Sequence, residues 1–216
     1  STADMTSGTS YFILVRAQDD ANPANDEGWY TVRSVTFTYD GAAPSILVQT
    51  PADASFFGNS SPLVISGTAA DPLSGVNMVQ LRIKYDDAGQ YWTGTHNGSG
   101  NFTATITTNT ADFSGDPTWQ FNIPIGELNA DFTHGQGYEI QARAIDTAGS
   151  TSAFTTVRTI EYDIQVPTGT VTFPTTFMNG SQTTISGTAE DAPAGVGLVE
   201  VAISSDVNGG AGSWYN

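Results

Sequence analysis

The sequence predicts an all-β chain built of tandem β-sandwiches. Three observations carry that reading. Apolar and polar residues alternate at period two almost throughout, and no 3.6-residue stripe runs long enough for a substantial helix. Gly, Pro and Asn interrupt every apolar run. The chain also repeats itself. Residues 65–76, I-S-G-T-A-A-D-P-L-S-G-V, match residues 185–196, I-S-G-T-A-E-D-A-P-A-G-V, at eight of twelve positions and an offset of 120. Residues 138–146, Y-E-I-Q-A-R-A-I-D, match residues 11–19, Y-F-I-L-V-R-A-Q-D, at five of nine and an offset of 127. Tyr162-Asp163 followed by Pro167 repeats Tyr39-Asp40 followed by Pro44.

The repeats set a unit of roughly 120 residues. Residues 44–166 read as one complete unit, 1–43 as the C-terminal part of an earlier one, and 167–216 as the N-terminal part of a later one. The expectation is a window cut from a longer array. In the complete unit, strands are predicted near 45–50, 62–69, 76–85, 90–94, 101–108, 118–123, 137–145 and 154–163. Val79, Leu81, Ile83 and Tyr85 point one way, and Gln80, Arg82 and Lys84 the other. Tyr138, Ile140, Ala142 and Ala144 face a core, with Glu139, Gln141 and Arg143 outward. A short helical turn is expected around Glu127 and Leu128. Seven or eight short strands per unit read as an immunoglobulin-like sandwich. Tyr138, at a strand head after a Gly-rich corner, suits a tyrosine corner; a plain buried tyrosine is the competing reading.

Composition narrows the function. The 216 residues carry 22 acidic and 6 basic side chains, a net charge of −16. Lys84 is the one lysine. Six scattered cations cannot form the basic patch that nucleic acid requires, and an anionic membrane surface would repel the chain. No apolar run approaches the ~20 residues of a membrane helix. Without cysteine there is no disulfide framework and no thiolate metal site; that suits export. Residues 1–10 show no signal-peptide pattern.

The I-S-G-T-A-x-D…G-V opening, the Y-x-I-x-A-R-A-x-D strand and the Y-D-x-x-x-P junction resemble the bacterial Ig-like repeats of long surface proteins. The resemblance implies an extracellular adhesin stalk, matrix protein or filament, with neighbouring repeats of the same or identical chains as partners. It extends equally to accessory modules of secreted carbohydrate-active enzymes.

Carboxylates are the first candidate site. If units stack end to end, Asp71 and Asp146 lie near the incoming linker, which carries Asp40. The next junction would gather Asp163, Glu190 and Asp191, with Asp86, Asp87 or Asp131 nearby. The outermost loop of the first segment holds Asp19 and Asp20. Carboxylates converging at a junction repel unless a cation neutralises them, and calcium accepts six to eight oxygens in loose geometry. The resemblance implies calcium as well. The alternative is that these residues cap turns. Trp92 and Trp214, in roughly aligned aromatic pairs, are candidates for stacking on glycans, with core closure as the competing role. Phe12 and Leu14 replace Glu139 and Gln141 of the complete unit and are expected on an outer face against a partner. His96 and His134 lie in no catalytic motif, and no enzyme activity is expected. Asn59, Asn97, Asn101 and Asn179 open N-x-S/T sequons that chance alone would supply.

Overall fold

The computed structural model describes residues 4–29, 34–85, 89–94, 102–103, 109–111, 117–204 and 214–215. For the strands Phe102–Thr103, Asn109–Thr110 and Trp214–Tyr215 it describes the backbone alone. The fold is all-β with one short helix. Strands β1 (Ser10–Ile13) and β2 (Val35–Thr38) form an antiparallel pair with Tyr11 opposite Phe37. Then follow β3 (Ser45–Thr50), β4 (Ser55–Phe57), β5 (Leu63–Ala70), β6 (Val76–Tyr85), β7 (Gln90–Trp92), β8 (Phe102–Thr103), β9 (Asn109–Thr110) and β10 (Thr118–Ile123). Helix α1 (Ile125–Asp131) leads into β11 (Gly137–Asp146) and β12 (Arg158–Tyr162). Two further antiparallel pairs follow: β13 (Thr168–Phe173) with β14 (Ser186–Glu190), and β15 (Ile203–Ser204) with β16 (Trp214–Tyr215).

Strands β3 to β12 form two sheets around one core. The smaller runs β10-β5-β3, and the larger β4-β12-β11-β6-β7-β8, with β9 also on β6. The chain changes sheets between β3 and β4, and β4 then lies parallel to β12. Burial follows the expected period. Leu63, Ile65 and Ala69 of β5, Val79, Leu81 and Ile83 of β6, and Tyr138, Ile140, Ala142 and Ala144 of β11 are all buried. Tyr85 is half-buried, stacked on Tyr138 at 5.4 Å. The outward rows of β6 and β11 pair across the strands. Lys84 Nζ meets Glu139 Oε2 at 2.9 Å, Arg82 Nη2 donates to Gln141 Oε1 at 2.7 Å, and Arg143 Nε donates to Gln80 Oε1 at 2.9 Å.

Tyr138 does form the corner. Its hydroxyl accepts the Thr133 N–H at 2.8 Å, and burial pushes the phenol pKa up, so it stays protonated. Tyr11 does the same with Thr6 N at 2.7 Å. In both places a glycine at positive φ donates its N–H to a tyrosine carbonyl at 2.8 Å, Gly135 to Tyr162, which ends β12, and Gly8 to Tyr39, which directly follows β2. The hairpin β13–β14 repeats the pairing of β3 and β5 residue for residue, including the bulge after Val48 and after Val171. The repeated glycine of I-S-G-T-A has a steric reason: a Cβ on Gly67 would collide with the Leu47 carbonyl oxygen, and on Gly187 with that of Thr170.

The strand expected over 154–163 begins only at Arg158. Before it, side chains stand in for the ladder: Thr155 Oγ1 accepts from Ala142 N and Ser152 Oγ from Ala144 N. The short β4 and β9 are additions to the expected strands, and most of 101–108 lies outside the described residues. No described helix is long and apolar enough to cross a membrane.

Gly67→Ala should lower stability by about 1–3 kcal/mol, because the clash is with backbone that cannot move aside. Gly126→Ala, in open space on α1, should raise it by about 0.5–1 kcal/mol. Urea denaturation of the two variants checks both signs.

Candidate metal centre

The inward rows of β5 and β11 do not end on apolar residues. Two positions past Ala69 stands Asp71, and two past Ala144 stands Asp146, which closes β11. Both keep the inward orientation, and they are 7% and 1% exposed. Asp40, 9% exposed, arrives from the segment after β2. One carboxylate oxygen from each of the three lies within 4.8 Å of the others.

Local hydrogen bonds fix each carboxylate by its Oδ1. Asp71 Oδ1 accepts the N–H groups of Leu73, Ser74 and Gly75 at 3.0, 2.8 and 3.2 Å. Asp146 Oδ1 accepts Ser150 N at 2.7 Å. Asp40 Oδ1 accepts Ala42 N at 3.0 Å and the Ser7 hydroxyl at 3.3 Å. The loops after β5 and β11 are tied together by Thr147, whose N–H donates to Gly75 O at 3.0 Å. The turn-capping role weighed for these residues is therefore real, but it uses half of each carboxylate. All three Oδ2 atoms are buried with no hydrogen-bond partner.

Three buried acceptors without donors, set among like charges, are costly unless something positive joins them. The five described Lys and Arg side chains have their contacts elsewhere. Arg82, Lys84 and Arg143 serve the β6–β11 ladder, Arg158 reaches the Pro51 carbonyl, and Arg16 lies over Trp29. The Ser74 hydroxyl and the Ala42 N–H hold the Asp40 carboxyl below its ordinary range. Hard oxygen donors and the orphaned atoms together fit a divalent cation.

The second junction repeats much of this arrangement. Asp163 Oδ1 accepts Gln165 N at 2.9 Å, as Asp40 accepts Ala42 N. His134 Nδ1 lies 3.4 Å from Asp163 Oδ1, in the place that Ser7 takes beside Asp40. Asp163 Oδ2 accepts Ala194 N at 3.0 Å, from the loop that follows β14. Asp191 Oδ1 is buried without a partner. Glu190 ends β14 exposed. Among the described residues no third carboxylate joins Asp163 and Asp191.

Other candidates fall elsewhere. Asp19 Oδ1 accepts Ala21 N and Asn25 N, and Asp20 is exposed. Asp131 Oδ2 accepts the Trp92 indole N–H at 2.8 Å, away from the junction role considered for it. Trp92 is fully buried against Phe121 and Phe132, so it closes the core and offers no ring face to a glycan. The Trp214 side chain, Asp86, Asp87 and His96 lie outside what is described. Phe12 is 53% exposed and Leu14 half-buried. Ile13 and Val15, which alternate with Phe12 and Leu14 along the chain, are exposed too, because no described strand lies over β1 and β2. Ser7, Ser74 and His134 were not singled out for the junctions. The repeat offset of 127 pairs Ser7 with His134 and is the signal that would have found those two.

A scan against protein-family models found no match, and neither did a search of curated proteins.

Asp146→Asn should remove one of three crowded charges while keeping an acceptor for Ser150 N. In chelator the variant should be more stable than the parent, by roughly 1 kcal/mol. In millimolar calcium the order should reverse. Thermal melts under both conditions check this. A pH series adds a second sign. The hydrogen bonds from Ser74 and Ala42 lower Asp40, and those from Thr159 N and Oγ1 lower Asp53. Their stabilisation is complete above the ordinary carboxylate range and is lost as pH falls from there through their lowered folded values. Melting temperature should therefore drop as pH falls below about 4.

Proposed function

We infer that this chain is a structural repeat region of a long extracellular surface protein, a stalk or filament of tandem immunoglobulin-like sandwiches whose junctions are clamped by divalent cations. The observation that carries it is the origin of the three orphaned oxygens. Asp71 directly follows β5 and Asp146 closes β11, and Asp40 belongs to the segment that precedes β3. A cation held by all three ties the entering segment to the body of the unit. Bending there would then require losing a ligand. Asp40, Asp71 and Asp146 would each give one oxygen, and water or backbone carbonyls would supply the rest of the six to eight that calcium takes.

The immunoglobulin-like reading is supported by the sheet orders β10-β5-β3 and β4-β12-β11-β6-β7, by the change of sheet between β3 and β4, and by the tyrosine corner. Export is supported by the absence of cysteine and the strong acidity. A glycan-binding role loses its best-placed ring with the burial of Trp92.

Calcium at a hundredfold excess over its Kd should stabilise the fold by about 2.7 kcal/mol, a rise of several degrees in Tm. It should also protect residues 41–43 from limited proteolysis. Asp71→Asn should abolish both effects. An unchanged melt and an unchanged cleavage rate on moving from EDTA to calcium would overturn the reading.

A further inference from the structure

We propose that the outward face of the larger sheet carries a binding site for carboxylated glycans, centred on Arg82 and Arg143. Arg82 of β6 stands opposite Gln141 of β11, and Arg143 of β11 opposite Gln80 of β6, so the two half-buried arginines are diagonal neighbours on one face. Arg82 donates to Gln141 Oε1 from Nε at 3.1 Å and from Nη2 at 2.7 Å, and Arg143 Nε donates to Gln80 Oε1 at 2.9 Å. Both guanidiniums then lie over one ring. The Phe154 centroid is 3.9 Å from Arg82 Cζ and 4.9 Å from Arg143 Cζ. Arg82 also lies over the Tyr91 ring of β7, at 5.6 Å.

The partners of these arginines are unexpected in this chain. With 22 acidic side chains against 6 basic ones, a carboxylate is the easiest partner to supply. Among the described residues neither guanidinium has one. Amide oxygens and ring faces fix a guanidinium without cancelling its charge. Of five N–H groups each, Arg82 uses two and Arg143 one, and the others have no partner among the described residues. The two charges are held within roughly 9 Å of each other, about a Debye length at physiological salt, and so repel. The segment before β12 keeps them there. Thr155 N donates to Ala142 O at 2.8 Å, and Thr155 O accepts Gln141 Nε2 at 2.7 Å, which sets Phe154 over the arginines and Gln141 against Arg82. The stacked arginine recurs. Arg16 is the counterpart of Arg143, and Trp29 precedes Thr31-Val32-Arg33 as Phe154 precedes Thr156-Val157-Arg158. Arg16 lies over Trp29 at 5.2 Å. The counterpart of Arg82 is Ala202, so the strand itself does not require an arginine there.

Adjacent planar guanidiniums with unused N–H groups are suited to a carboxylate, which they take through paired hydrogen bonds. Charge selects the carrier of that carboxylate. A second copy of the chain brings a net charge of −16 toward another −16, so its carboxylates arrive against repulsion. A short acidic oligosaccharide presents the same group on a largely neutral, hydroxyl-rich body. The Gln80 amide and the Tyr91 phenol adjoin the guanidiniums and offer neutral hydrogen-bonding groups to such hydroxyls. This face is separate from Trp92, which is buried in the core, and from the Asp40, Asp71 and Asp146 cluster, so the site does not rest on the metal reading above.

Titration of the 216-residue chain with trigalacturonate, from about 0.05 to 10 mM and followed by NMR chemical shifts, tests this. Buffer stripped of divalent cations on a chelating resin keeps the carboxylate cluster out of the measurement. Trigalacturonate should bind, and its methyl ester, which lacks the charge, should bind about tenfold more weakly or worse. Arg82→Gln and Arg143→Gln should each weaken trigalacturonate by about tenfold or more while keeping a cooperative thermal transition. Arg82→Lys keeps the charge and loses the planar fork, so it should recover only part of the loss. Raising salt from about 50 to 500 mM should weaken binding several-fold. Failure of trigalacturonate to bind overturns the proposal, and binding that both glutamine variants retain in full overturns the site. Sedimentation velocity tests the other carrier. Concentration-dependent association that Arg82→Gln abolishes, without trigalacturonate binding, gives the arginines to carboxylates of a second copy and overturns the glycan.

Discussion

The arrangement at the entry end of the unit depends on one constraint, that a strand's inward row must end somewhere. Along β5 and β11 every second residue is sealed in the core, and the next inward position in each is an aspartate. A carboxylate there is too deep to be fully hydrated, yet too near the end of the sandwich to be walled off from the entering chain. Backbone N–H groups of the following loops take one oxygen of each. The other oxygen is left facing its neighbours. Sheet geometry thus brings two half-satisfied carboxylates together, and the linker delivers a third.

Much of this could be read from residues alone, because period two is a strong signal wherever one face is buried. The row Tyr138, Ile140, Ala142, Ala144 runs straight on to Asp146. The row Leu63, Ile65, Gly67, Ala69 runs on to Asp71. Stacking of repeats then brought in Asp40. What could not be read was which oxygen each turn consumes, since that depends on loop backbone and not on residue type. Ser7 and His134 were missed for a related reason: their partners are distant in sequence, 33 residues away for Ser7 and Asp40 and 30 for His134 and Ile164. Trp92 was ambiguous because its indole needs a partner in either role. Asp131, on α1, supplies one inside the core.

The scarcity of cations acquires a physical role. Lys84, Arg82 and Arg143 are held in the outward ladder of β6 and β11, where glutamate and glutamine oxygens and the Phe154 ring engage them. Among the described residues none is left to neutralise the carboxylates from within. An arginine at the junction would satisfy Oδ2 atoms permanently, and the linkage would be indifferent to its surroundings. Left unsatisfied, the three Oδ2 atoms are open only to a cation from outside the chain, which is how the clamp proposed above would respond to the medium.

The two junctions differ in one respect that follows from the same geometry. At the first, β5, which Asp71 follows, and β11, which Asp146 closes, pack around one core, so Asp40 meets a preformed pair. At the second, the loop after β14 is present, and it already engages Asp163 through Ala194. The strand that would carry the remaining aspartate is not among the described elements beside it. Asp191 therefore keeps a buried oxygen without a partner, next to a hairpin whose core-type residues face outward. The exposed apolar row of β13 and the buried oxygen without a partner thus belong to one hairpin and the loop that follows it.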